Sequence, residues 1–494
     1  MQRKRFYATQ LMKLCFQVLL YIFLFVSFFG MLSITNEAIL NLSRTAGTTI
    51  ATFICVMLLL TVVYGGYDIG VKKMRSVFAS ISLTTFFTDL ITYLILQIMN
   101  TNPKNPDANA QFVFWGEDLA LLFGAFILQL CFIYFFVSIG YRYYFRINPP
   151  QNSCIVTSSQ ELANHVASKM QTFRQKYKLT DVVHYECPDV KQTILKHDVI
   201  FLAGIPDTEE AQLEAYCYKH NKTIYLLAEL EDVIISTAQQ SILDDAPFLY
   251  IHRTEPTLMQ LFLKRACDIL ISLLGLVIFS PVMLVTAIVL RASGNGSVLF
   301  RQKRATINGN IFEIVKFRTM YAGSREEENS CSTQKDDCRV TPVGSFLRKY
   351  RIDELPQLWN VLCGDMSIVG PRPEMLENVD RYTREVPEFA YRQQMKAGLT
   401  GLAQIEGKYN TSPKDKAILD LLYIENFSLS YDFKLILRTL TIFFRRDSTE
   451  GFGEKAVECP KMRVDSLGPS KPSRHAAKTA RKGKNDQAPL RAAL

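Results

Sequence analysis

At 494 residues the chain has room for about three modules of roughly 150 residues, and its 48% apolar content is gathered before residue 145 and between 269 and 290. The formal charge of +9 lies largely in loops and in the C-terminal tail. That excludes a broad nucleic-acid surface and favours anionic lipid headgroups as its partner. Eleven cysteines, an odd number with no CxxC pair, exclude a disulfide framework and point to reduced thiols on the cytosolic side.

The N-terminal MQRKR leads into an apolar stretch over 11–34, too long for the apolar core of a cleaved signal peptide and without a small-residue cleavage site. Three further stretches, 48–64, 78–99 and 119–140, are each close to the ~20 residues that cross a bilayer, so residues 1–146 predict a four-helix transmembrane bundle. Arg3, Lys4 and Arg5, then Lys72, Lys73 and Arg75, then Arg142 and Arg146 fall at alternate ends. The positive-inside rule therefore places both ends of the bundle in the cytoplasm. Asp89 and Asp118 are isolated acids near these spans, and with no cluster of ionisable groups beside them the bundle reads as an anchor rather than a transport path.

Residues 147–260 change character. CIVT (154–157), VVHYE (182–186), VIFLAG (199–204), TIYLL (223–227) and FLYIH (248–252) alternate with helical stretches, the pattern of a parallel, Rossmann-like α/β sheet. The turn after the first strand reads TSSQELA, without the glycines that let a backbone approach a pyrophosphate. Tyr218 and Lys222 have the YxxxK spacing of nucleotide-sugar dehydratases, but Lys222 falls at a helix end. A packing, regulatory or dimerising role follows for this module.

The apolar run 269–290 is long enough to cross a membrane, yet Pro281, preceded by Ser280, sits near its middle and removes a helical hydrogen bond. Cations flank both sides, Lys264 and Arg265 before and Arg291, Arg301, Lys303 and Arg304 after. A helix broken at Ser280-Pro281 that enters one leaflet and returns satisfies both features; a proline-kinked span remains the other possibility.

Asn308-Gly309 between two strand-like runs predicts a hairpin, with Lys316 and Arg318 on one face of its second strand. A block of fixed charges follows: KFRTM (316–320), RKYRIDELPQLWNVLCGDMS (348–367) and VGPRP (369–373). Lys316, Arg318, Arg348 and Arg372 are the cations suited to neutralising a diphosphate, and Asp353 and Glu354 the carboxylates suited to act as nucleophile and metal ligand. Asp353 equally suits the N-cap of the helix that begins after it. Asp365 and Asp432 are further candidate acids, Asp432 also reading as a solvated helix-start residue. Residues 447–494 are polar and basic, ending in RHAAKTARKGK (474–484) and a short remainder; this reads as a disordered tail that touches anionic lipid.

KRACDIL (264–270), the Ser280-Pro281 pair, KFRTM, DELPQLWNVLCGDMSIVGPRP (353–373) and GLTGLAQ (398–404) together make residues 261–446 resemble the bacterial sugar transferases, monotopic polyprenyl-phosphate hexose-1-phosphate transferases. The whole chain resembles their long form, which joins an α-helical membrane bundle and a Rossmann-like α/β domain to a mixed α/β catalytic domain with a re-entrant helix. The resemblance implies that Asp353 attacks the β-phosphate of a UDP-sugar, UMP leaves with Mg²⁺ assistance, and undecaprenyl phosphate then takes the phosphosugar. It makes Glu354 a metal ligand or proton handler beside Asp353, Lys316 and Arg348 phosphate contacts, and Arg372 a nucleotide or phosphate contact. It further implies a bacterial inner-membrane protein with its catalytic domain in the cytoplasm, a homodimer, and polysaccharide-assembly partners. Two departures stand out: Ile352 in place of leucine, and GLAQIEGKYN (401–410), where Lys408 replaces a frequent arginine. A non-enzymatic scaffold and an NAD-dependent nucleotide-sugar dehydratase are the rival readings; the missing glycine-rich turn counts against the second.

Overall fold

The computed structural model describes residues 2–35, 39, 43–101, 116–252, 255–294, 296–321, 339–407, 411–441 and 460–463. The chain forms two compact units, Met1–Ile147 with Ala228–Glu454, and Asn148–Leu227 with Lys455–Leu494.

In the first unit, helices α1 (Gln2–Leu32), α2 (Arg44–Tyr64), α3 (Met74–Thr101) and α4 (Glu117–Ile147) overlie the four expected spans. Their outer faces stay apolar, with Val18, Leu58, Val62 and Phe123 exposed, as suits helices surrounded by hydrocarbon. Leu20, Leu24, Phe28, Phe53, Ile133 and Val137 form the interior. Ser43 caps α2 by accepting from the Ala46 amide at 3.0 Å, and Gly65 ends the helix at φ 78°.

The second unit holds β1 (Gln151–Thr157), α5 (Gln160–Gln171), β2 (Tyr177–His184), α6 (Val190–Lys196), β3 (Val199–Ala203), α7 (Asp207–Lys219) and β4 (Thr223–Leu226). The four strands pair in parallel in the order β2-β1-β3-β4. Each side of β1 is covered, Ile155 with Ala163 and Ala167 of α5, Cys154 and Val156 with Ile194 and Leu213, which is why these strands read as continuous apolar runs. Ser159 caps α5 by accepting from the Leu162 amide. Lys222 does not form a pair with Tyr218: its ammonium donates to the carbonyls of Leu195 and His197 at 2.8 and 2.7 Å, while Tyr218 is exposed.

Two expectations for this region are corrected. FLYIH does not join the parallel sheet; Ala246–Tyr250 (β6) pairs antiparallel with Gln239–Leu243 (β5), beyond α8 (Leu230–Ser236), and the unit ends at Leu227 rather than at residue 260. The short loop between these strands makes the antiparallel pairing available locally, whereas a parallel strand needs a crossover. Within the expected disordered tail, residues 460–463 take up structure: the Arg463 amide donates to Val182 O and its carbonyl accepts from the His184 amide, along the free edge of β2. The basic run 474–484 lies outside the described residues.

Returning to the first unit, α9 (Leu258–Ala292) is a single helix of 35 residues started by a Thr257/Gln260 capping box. The expected interruption at Ser280-Pro281 is absent: the helix continues through Pro281, and Ser280 Oγ donates to Val277 O at 2.7 Å, one turn back. Among the described residues α9 is the fifth helix long and apolar enough to cross a membrane.

Behind it, β7 (Leu299–Ala305) and β8 (Ile311–Phe317) form the expected hairpin, with Asn308 at φ 56° and Gly309 at φ 75° in the turn. Next come α10 (Pro342–Lys349), a 3₁₀ turn Ile352–Glu354, α11 (Gln357–Cys363), β9 (Ser367–Val369), α12 (Leu376–Glu385), a 3₁₀ segment Pro387–Gln394, β10 (Gly398–Thr400), α13 (Leu402–Glu406), α14 (Pro413–Glu425) and α15 (Leu429–Thr439). Ile314, Val361, Met366, Ile368, Leu402 and Leu435 make their common core. The glycines of GLTGLAQ have a steric reason, since a Cβ on Gly398 would lie 2.1 Å from the Gly370 amide nitrogen and one on Gly401 2.3 Å from its oxygen. They let β10 and the turn after it pack against VGPRP.

Candidate active site

Four elements deliver the charged side chains. β8 supplies Lys316, α10 supplies Arg348, the 3₁₀ turn supplies Asp353 and Glu354, and the segment after β9 supplies Arg372. Asp353 is not the N-cap of the following helix, because the 3₁₀ turn intervenes and α11 starts only at Gln357, with Pro356 ahead of it.

Glu354 is held on both oxygens. Arg372 Nη2 donates to its Oε1 at 2.7 Å, Lys316 Nζ lies 3.7 Å from the same oxygen, and Arg351 Nη1 lies 3.7 Å from Oε2. Burial alone would raise this carboxyl, but Arg372, Lys316 and Arg351 outweigh it and hold Glu354 well below the usual carboxylate range.

Asp353 makes no hydrogen bond or ion pair among the described residues. Burial, with the charge of Glu354 adding to it, raises its pKa against the pull of Lys316, Arg348 and Arg372. The pair is therefore split into one committed carboxylate and one available carboxylate. Lys316 is itself pushed down to about 8 by burial, against the pull of Glu354.

Sequence reasoning missed Arg351. It sits at φ 54°, a left-handed backbone that a bulky residue rarely adopts, and this turn of the chain brings its guanidinium back onto Glu354, three residues on. The i,i+3 spacing was its one sequence signal. Arg348, Arg351, Lys316 and Arg372 thus make four cations around two carboxylates, an excess of positive charge suited to a diphosphate.

Other sequence candidates lie elsewhere. Arg318 is buried and caps the end of α9, donating through Nη2 to Leu290 O at 3.1 Å and Ser293 Oγ at 3.2 Å. Asp365 Oδ2 accepts from Asn360 Nδ2 at 3.1 Å, beside the turn that closes α11. Asp432 is buried rather than solvated, accepting from Lys264 Nζ at 2.5 Å and from Tyr423 OH at 2.8 Å.

Lys264 and Arg265 also depart from the reading as basic flanks of a membrane segment. Lys264 Nζ donates to Val369 O at 3.0 Å, Arg265 caps α11 through the Val361 and Leu362 carbonyls at 2.7 and 2.8 Å, and Asp268 accepts from the Ile368 amide at 2.9 Å. KRACDIL therefore fastens α9 to the strand that leads into Arg372.

A second set of residues, invisible in the sequence because its members are far apart, supports that segment from behind. Arg392 Nη2 donates to Arg372 O at 2.7 Å, and the same guanidinium meets Asp420 Oδ2 at 2.7 Å, with both side chains buried. Arg304 donates to Pro373 O at 3.3 Å, and burial lowers its pKa to about 10.

Among the described residues no three His, Cys, Asp or Glu side chains cluster as a metal site. Mg²⁺ needs less, because it takes one or two carboxylates and completes its shell with water and substrate phosphate. The uncommitted oxygens of Asp353 beside Glu354 fit that requirement.

The fold and this site define an α/β domain joined to helices long and apolar enough to cross a membrane, with four cations gathered around a carboxylate pair. The family model described as "Bacterial sugar transferase" matches residues 259–446. Over 191 residues the chain is 40% identical to the UDP-glucose:undecaprenyl-phosphate glucose-1-phosphate transferase of Caulobacter vibrioides, covering 37% of this chain and 71% of that protein. It is 40% identical over 203 residues to the UDP-N-acetylgalactosamine-undecaprenyl-phosphate N-acetylgalactosaminephosphotransferase of Aeromonas hydrophila, covering 40% of this chain and 47% of that protein. The exopolysaccharide production protein PSS of Rhizobium leguminosarum bv. phaseoli is 38% identical over 190 residues, which are 37% of this chain and 95% of that protein. The chain belongs to the bacterial sugar transferase family.

Proposed function

We propose that this protein transfers a hexose-1-phosphate from a UDP-sugar to undecaprenyl phosphate, the priming step of capsule, exopolysaccharide or O-antigen synthesis. The observation that supports the reading is the division within the carboxylate pair: Glu354 is bound by Arg372, Lys316 and Arg351, whereas Asp353, among the described residues, makes no hydrogen bond or ion pair. A nucleophile must be uncommitted, and an anionic substrate needs fixed positive charge around it.

Asp353 attacks the β-phosphorus with one carboxylate oxygen, and the bond from that phosphorus to the bridging oxygen breaks, so UMP departs with the bond's electron pair. The phosphosugar then rests on Asp353 as an acyl phosphate. An oxygen of undecaprenyl phosphate attacks the same phosphorus and returns the Asp353 carboxylate. Lys316, Arg348 and Arg372 stabilise the charge that develops at each step. Asp353 and Glu354 would hold Mg²⁺, which when bound would supply neutralising charge for the departing nucleotide.

The relatives are named for glucose and for N-acetylgalactosamine, so the sugar is to be read from a panel. The test is to incubate the protein with undecaprenyl phosphate, Mg²⁺ and each UDP-sugar and to follow UMP. Release with at least one sugar is expected, lost on adding EDTA, and sugar-labelled phosphate is recovered on the peptide containing Asp353. Silence across the panel refutes the reading.

The membrane course belongs to the same proposal. Charge asymmetry puts the bundle ends in the cytoplasm, and because nucleotide sugars are cytosolic and α9 is fastened to the catalytic domain near both ends, through Lys264 on Val369 O and Arg318 on Leu290 O, both ends of α9 lie on the cytoplasmic side. Cysteine-accessibility labelling at both ends of α9 checks this: labelling of both ends from the cytoplasmic side is expected. A homodimer and polysaccharide-assembly partners complete the picture, to be checked by light scattering and by crosslinking in the producing cell.

A further inference from the structure

The bundle contains a buried polar centre that the transfer reaction does not use. Thr84, Thr85, Thr88, Asp89 and Thr92 of α3 are all buried. Thr84, Thr85 and Thr88 return their hydroxyls to Ser80 O, Ile81 O and Thr84 O of their own helix. Asp89 is treated differently. Its Oδ1 accepts from Gln129 Nε2 of α4 at 3.3 Å, and the same amide nitrogen donates to Leu24 O of α1 at 3.1 Å.

At this junction Asp89 Oδ2 and Gln129 Oε1 lack any hydrogen-bond partner among the described residues, and so does Oγ1 of Thr92, one helical turn on from Asp89. Their residues are 3%, 0% and 0% exposed. The carboxylate and amide oxygens are acceptors only and cannot satisfy one another. The charged residues of the packed helices lie toward the bundle's ends: Lys13 and those before it on α1, Arg44 on α2, Arg75 on α3, and Glu117, Asp118, Arg142 and Arg146 on α4. Asp118 is tied to α3 through Gln97 at 3.2 Å, eight residues from Asp89, about 12 Å along the helix.

An unpaired carboxylate withdrawn from water needs a compensating charge, and among the described residues no side chain of the bundle supplies one. We propose that Asp89 Oδ2, Gln129 Oε1 and Thr92 Oγ1 form an internal site for a small monovalent cation, Na⁺ or a proton. One carboxylate balances one such charge, and an all-oxygen donor set suits a hard cation.

The test uses the full-length protein in nanodiscs of zwitterionic lipid, with thermal unfolding followed in NaCl against choline chloride at constant ionic strength and at several pH values. A Tm that rises saturably with Na⁺ at fixed pH identifies the metal ion as occupant. A Tm that ignores Na⁺ and falls as pH rises, with the fall absent from Asp89→Asn, identifies the proton. Asp89→Asn is expected to abolish either response while keeping the far-UV helical signal. Gln129→Ala retains the carboxylate and is expected to raise the half-saturating Na⁺ concentration about tenfold through loss of an oxygen ligand or, with the proton as occupant, to move the fall in Tm to higher pH, since the carboxylate anion loses its hydrogen-bond donor. A wild-type Tm indifferent to both variables, or an unchanged response in Asp89→Asn, overturns the site.

Discussion

Asp353 and Glu354 share a backbone turn, but their surroundings divide the work between them. Cations on both oxygens keep Glu354 ionised far into acid, whereas burial raises Asp353. Attack requires the Asp353 anion, so the rate of UMP release should climb as pH passes upward through its raised pKa. The upper limb should fall as Lys316 loses its proton near pH 8, where burial has pushed its pKa. A pH–rate profile for kcat/KM tests both limbs, and the upper one should vanish in Lys316→Arg. Asp353→Asn removes the attacking oxygen's charge and is expected to lower turnover by about 10⁴-fold or more. Arg372→Ala removes one stabilising donor set and should cost about 10²-fold. Equal, mild losses in the two variants would refute Asp353 as nucleophile.

At the scale of elements, α9 is tied into the domain rather than laid beside it. Lys264 bridges Asp432, Tyr423 OH lies against the same carboxylate, and the Lys264 ammonium reaches Val369 O, two residues before Pro371. Lys264→Met leaves Asp432 buried without its cation, and a loss of about 3–5 kcal/mol of stability is expected. The double variant Lys264→Met/Asp432→Leu should recover part of it, as read by denaturant titration in detergent. Arg392 and Asp420 hold the Arg372 carbonyl from the other side, which makes them positioning residues. Arg392→Lys keeps the charge but not the planar fork, and is expected to raise KM for the UDP-sugar more than it lowers Tm.

At the scale of the whole molecule, the family match stops at the catalytic region, and the Rhizobium relative is nearly all match. A protein comprising residues 255–446 should therefore still release UMP, with lower thermal stability than the full chain, since α15 also packs on α2. The catalytic region was legible because chemistry there is local in sequence: KFRTM, the Asp353-Glu354 pair and VGPRP put Lys316, both carboxylates and Arg372 in view before any fold was known. The four bundle helices and the Asn308-Gly309 hairpin were equally legible, since apolar run length and turn chemistry act over neighbouring residues. Arg318 and Asp432 misled because a charge in sequence does not say which way it faces. One proved to be a helix cap and the other a buried partner of Lys264. What composition and local pattern determined by themselves was a membrane bundle, an α/β module and a charged block able to handle phosphate. Only the tertiary structure decided which carboxylate is free, that Arg351 and Arg392 belong to the site, and that KRACDIL fastens α9 to the Arg372 segment. Apart from Arg351, whose i,i+3 contact depends on its left-handed backbone, those are contacts across about twenty to more than a hundred residues, and the energy that selects them exists only once the chain has packed.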